Sequence, residues 1–115
     1  MSKVESTTDK KPEDFIMLKA DKKTHKINFD RIHYFESIGD YVKVFLADGK
    51  VLIVSDTLKK LEELLPSSIF MRVHKSYIIS ISKLEYLEGN QLQLPAIKIP
   101  IGQSYRDSVN AVFRK

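Results

Sequence analysis

The sequence predicts a mostly β fold, a compact antiparallel sandwich-like domain of about eight to ten short strands with one main helix near residues 56–65. Three observations predict it. Short apolar runs with period-2 alternation recur along most of the chain. Asp-Gly and Gly-Asn dipeptides punctuate them as hairpin turns. One stretch alone carries a leucine stripe at the three- and four-residue spacing of an amphipathic helix. With 115 residues, 43% of them apolar, one domain can build its core without metal or disulfide.

Taken in order, residues 1–12 (MSKVESTTDKKP) hold almost no large apolar side chain. They read as a flexible tail or inter-domain linker, which leaves 13–115 as the domain. Residues 15–18 (FIML) begin the first strand, and 24–29 and 31–37 alternate polar with apolar. Gly39-Asp40 breaks the pattern before 41–46, where Val42, Val44 and Leu46 share a face. Glycine tolerates positive φ, so Asp48-Gly49 joins 41–46 to 50–54 as an antiparallel hairpin. Leu58, Leu61, Leu64 and Leu65 form the helical stripe, with Ser55 or Asp56 placed to cap it and Pro66 to stop it. Lys59, Lys60, Glu62 and Glu63 make its solvated face. Strands resume at 69–73 and 77–81, on either side of the polar triplet His74-Lys75-Ser76. Residues 84–87 and 91–94 flank the Gly89-Asn90 turn, and 97–99 is the last strand. Residues 104–114 form a turn or short helix with Tyr105, Val109 and Phe113 directed inward.

Composition removes several function classes. The chain has no cysteine, hence no disulfide, thiolate-zinc site or thiol nucleophile. No apolar run approaches the roughly 18–20 residues of a membrane span, and the polar N-terminus is no signal peptide. A cytoplasmic protein without membrane contact is expected. His25, His33 and His74 lack the spacing of convergent metal ligands. There is no GxSxG elbow and no glycine-rich phosphate loop. The expectation is a protein that is not an enzyme and has no cofactor, metal or catalytic residue.

Charge is unevenly placed. Residues 1–65 hold 12 Lys+Arg and 12 Asp+Glu, whereas residues 66–115 hold 7 and 3, so the net +4 lies wholly in the second half. A basic half suits a polyanionic partner. Arg72-Val73-His74-Lys75-Ser76-Tyr77 is rich in side-chain donors and falls where strand patterning breaks, and polar loops recur at 37–41 and 102–106. No helix has the basic polar face of a major-groove reader, so loops must carry any DNA reading.

Four strings in order carry a resemblance: FESIGDYVKVFLADGK (35–50), SDTLKKLEELL (55–65), FMRVHKSYIIS (70–80) and IPIGQSY (99–105). Together they resemble the LytTR-type DNA-binding domain, the effector domain of bacterial transcription regulators. The resemblance implies sequence-specific binding of promoter DNA, with loops entering successive major grooves of paired repeats occupied by two protein copies. It further implies the output domain of a two-component response regulator, behind a receiver domain. Carried over by position, Lys75, Gln103, Ser104, Asp40 and Tyr41 are the expected base-contacting residues. Gly39, Lys43, Arg72, His74, Ser76, Tyr105 and Arg106 are expected to touch the DNA backbone or support the loops. Two departures concern specificity. Gln103-Ser104 replaces a common arginine, and a glutamine suits an adenine edge rather than a guanine. Asp40 suits a cytosine amino group or shapes its turn. The competing readings are a module that binds a peptide by β-strand addition and a single-stranded RNA platform using Tyr41, Tyr77 and Tyr105.

Overall fold

Alternating polar and apolar residues decide which face each strand buries, and the computed structural model, which describes residues 14–113, follows that rule. The tail expected at 1–12 lies outside the described residues. Strands β1 (Phe15–Ala20) and β2 (Lys23–Asn28) form a hairpin that turns Ile16, Leu18, Ala20 and Ile27 inward. Strands β3 (Ile32–Ile38), β4 (Tyr41–Leu46) and β5 (Val51–Val54) follow as a meander. Helix α1 (Leu58–Leu64) leads to β6 (Phe70–His74) and β7 (Tyr77–Ser80), and β7 docks on β3. The result is a five-stranded antiparallel sheet of order β5-β4-β3-β7-β6. Strands β8 (Tyr86–Glu88), β9 (Gln91–Leu94) and β10 (Ile97–Pro100) form a separate three-stranded sheet, and α2 (Arg106–Phe113) ends the described chain.

The five-stranded sheet is covered on both faces. On one, Phe35, Val42, Val44 and Ile78 pack with the β1–β2 hairpin and with Leu58, Leu61 and Leu65. On the other, Tyr34, Val73 and Ile79 meet Leu92, Leu94 and Ile99 of the small sheet and Val109 of α2. Each fully buried aliphatic side chain contributes about 1.5–3 kcal/mol of transfer free energy, so both faces hold the central sheet firmly.

The expected hairpins form. Glu88 faces Gln91 across Gly89-Asn90, and the Leu46 N–H donates to the Lys50 carbonyl across a loop containing Asp48-Gly49. The helix cap differs from expectation. Thr57 Oγ1 accepts from the Lys60 N–H at 3.1 Å, while the Asp56 carboxylate accepts from the Thr57 N–H. Leu64 leaves the stripe and is 63% exposed, and Phe113, expected inside, is exposed.

Candidate nucleic-acid interface

The sheet register gathers the three polar loops at one end of the molecule. Strands β3 and β7 run antiparallel with Glu36 opposite Tyr77, and the Ser37 N–H donates to the Ser76 carbonyl at 2.9 Å. The turn at 39–40 therefore lies beside the loop at 74–76. The Gly102 N–H donates to the Val73 carbonyl at 2.8 Å, which draws the loop after β10 to the same place. Lys75 and Gln103 are both exposed and line one open cleft of about 450 Å³ with His74, Gly102, Ser104 and Tyr105. Glycine is required for this approach. A Cβ at position 102 would sit 2.9 Å from Tyr105 Cδ2 and 3.3 Å from His74 Cα. The sequence places Gly102 in the loop without revealing this role, because the backbone it must clear is 28 positions away in the chain.

Arg72 braces the 74–76 loop from behind. Its Nε donates to the His74 carbonyl at 3.0 Å, Nη2 to the Lys75 carbonyl at 2.7 Å and Nη1 to the Glu62 carboxylate at 2.9 Å. The guanidinium also lies 5.9 Å from the Tyr105 ring centroid. With its side chain 16% exposed, Arg72 is engaged by the protein itself. The guanidinium reaches these three acceptors from three different nitrogens held in one plane, a spread that the single nitrogen of an ammonium does not have. His74 Nδ1 accepts from the Ser76 N–H at 3.0 Å, so a neutral ring carries its proton on Nε2. Its ring meets Tyr77 edge-on at 5.6 Å.

Below the loop, the Tyr77 hydroxyl donates to Glu36 at 3.1 Å. Burial and then the Glu36 charge push the Tyr77 phenol up, and the same two causes push Tyr34 up to about 12. Both phenols stay neutral at physiological pH; Tyr34 stacks on Phe45, and Tyr77 keeps its hydrogen bond to Glu36.

The 39–40 turn is built more simply. Ile38 faces Tyr41, and Gly39 takes φ +57°, a conformation that favours glycine. Asp40 and Tyr41 project outward, and half-buried Lys43 stands opposite Glu36. Ser76 and Tyr105 are half-buried, and Ser104 is exposed. Arg106 Nε donates to Asn90 Oδ1 at 3.1 Å, and Asn90 Nδ2 donates to the Ile101 carbonyl at 3.1 Å. The β8–β9 turn thus supports the loop after β10. In the sequence Asn90 reads only as a turn residue and Glu62 only as a solvated one. Neither supporting bond has a local sequence signal, since each joins residues ten or more positions apart. Among the described residues no group of three or more His, Asp or Glu side chains is placed to hold a metal, and no helix is long and apolar enough to cross a membrane.

The chain matches the family model of the LytTr DNA-binding domain over residues 22–114. The sensory transduction protein LytT of Bacillus anthracis is 32% identical, with 68% of this chain and 37% of that protein covered. The sensory transduction protein LytT of Enterococcus faecalis is 27% identical over 63% of this chain and 32% of its own length. The chain thus spans about a third of the length of these curated relatives. A solved LytTr DNA-binding domain of a response regulator from Bacillus cereus superposes with a TM-score of 0.77 at 19% identity, covering 90% of this chain and 100% of that one, a likeness of fold.

Proposed function

This chain belongs to the LytTr DNA-binding domain family, and we propose that it recognises duplex DNA through the loops at 39–41, 74–76 and 102–106, which enter the major groove from one face of the duplex. The observation that carries the reading is the cleft in which exposed Lys75 and Gln103 meet. Lys75 supplies an ammonium for guanine O6 and N7, and Gln103 pairs with an adenine edge. Asp40, Tyr41 and Ser104 complete the base-facing set. Lys43, His74 through its Nε2–H, Ser76 and Arg106 hold phosphates and fix the register, while Gly39, Arg72 and Tyr105 shape the loops that present them. The role is non-enzymatic. In the full protein the domain is the output element of a response regulator, following a receiver domain, and two copies occupy paired promoter repeats.

Selection of bound duplexes from a random pool, followed by footprinting, tests this reading. A defined motif with repeated half-sites is expected. Lys75→Ala should cost about 1–3 kcal/mol on the selected duplex and relax one base preference. An equal loss on every sequence would reduce Lys75 to a phosphate-binding role. Failure of the unaltered chain to retain any duplex would sink the reading.

A further inference from the structure

The β1–β2 turn reaches the same end of the molecule as the three loops. Ala20 faces Lys23, so Asp21 and Lys22 alone make the turn. Lys19, Asp21 and Lys22 line a groove with Tyr41, the residue that follows the Gly39-Asp40 turn, and with Val54, which pairs with Val42 at that end of the sheet. Lys19, Lys22 and Lys23 are exposed, and none takes part in an ion pair among the described residues. The carboxylates nearby are Asp21 in the turn and Asp56, whose Oδ1 accepts from the Thr57 N–H.

The backbone of this turn is strained. Asp21 has φ +54° and Lys22 φ +61°, the left-handed region where a two-residue hairpin favours Asn-Gly. A lysine held there, where glycine would relieve the strain, points to a task for its charge. Distance supplies a reason. The turns at 39–40 and 74–76 are centred two strand spacings apart, about 10 Å, whereas one turn of B-DNA is about 34 Å long. A point of attachment beyond β5 lengthens the track along the duplex.

We propose that the β1–β2 turn is a further DNA-binding element, in which Lys19, Lys22 and Lys23 hold backbone phosphates beside the Gly39-Asp40 turn. This rests on the duplex-binding reading above. Flexible ammonium groups with no ion-pair partner among the described residues act as point charges, so the attraction is sequence-independent.

Fluorescence anisotropy of the whole chain, on a pool-selected duplex and on a scrambled duplex of equal length, tests it with Lys22→Gly and with the triple variant K19Q/K22Q/K23Q. Lys22→Gly should melt at the same or a higher temperature and yet bind more weakly. The slope of log affinity against log salt should fall by about 0.9 for each phosphate no longer neutralised, equally on both duplexes. A triple variant with an unchanged salt slope overturns the inference, and wild-type binding that remains sensitive to Lys75→Ala shows that the parent reading survives. A loss confined to the selected duplex also overturns it, because it would mean base reading. No binding by the unaltered chain overturns both.

Discussion

The 74–76 loop and the 39–40 turn stand side by side at one end of the same sheet, yet they are held in different ways. In the first, side chains tie down the backbone: Arg72 takes the carbonyls of His74 and Lys75, and His74 takes the Ser76 amide. Among the described residues, the second has only the strand ladder and a glycine at positive φ. A loop ordered before binding loses little entropy on binding and presents Lys75 in one direction, whereas an untied turn adjusts to the surface it meets. On the proposed reading, the contrast makes Lys75 a base-facing group fixed in advance and Asp40 and Tyr41 base-facing groups that settle on contact.

Arg72→Ala should have the largest effect. It removes hydrogen bonds to two carbonyls and to Glu62, so urea melts should show a loss of about 1.5–3 kcal/mol. DNA affinity should fall further than in Lys75→Ala, because the loop backbone loses its direction as well as its support. Arg72→Lys should not restore it. Unchanged stability and affinity would erase the distinction between the two loops. Next comes Gly102→Ala, which drives a methyl into the Tyr105 ring and the His74 backbone. Chemical denaturation should show a loss of about 1–3 kcal/mol, and the Lys75 and Gln103 contributions to binding should decline together. The smallest effect is expected from Gly39→Ala. Beyond the two chain neighbours no atom lies within 4 Å of the added Cβ, so only the left-handed backbone opposes it, at about 1–2 kcal/mol. Base preference at the Lys75 position should be unchanged, and a shift there would show that the 39–40 turn also sets the cleft.

The β architecture was legible because period-2 runs and turn dipeptides are local signals, and Val42, Val44 and Leu46 are buried as their alternation requires. The helix shows where such signals end. At about 100° per residue, Leu64 sits about 60° from Leu61 and about 100° from Leu65, on the shoulder of the stripe, so its spacing alone did not reveal its exposure. The cap fell on Thr57 rather than Ser55 or Asp56 because Asp56 bonds the adjacent amide instead of opening the helix. For the candidate site, sequence strings identified the loops but not their bracing. The meeting of Gly102 with Val73, of Arg72 with Glu62 and of Asn90 with Ile101 depends on the tertiary path of the chain, which no residue spacing encodes.

The single backbone bond from Gly102 to Val73 also makes that amide a natural reporter. Its proton can trade with solvent deuterium only when the two halves of the cleft part, so its exchange rate measures how often the cleft comes undone. Slower exchange on adding duplex would give a one-signal gauge of how tightly the nucleic acid clamps the two loops together.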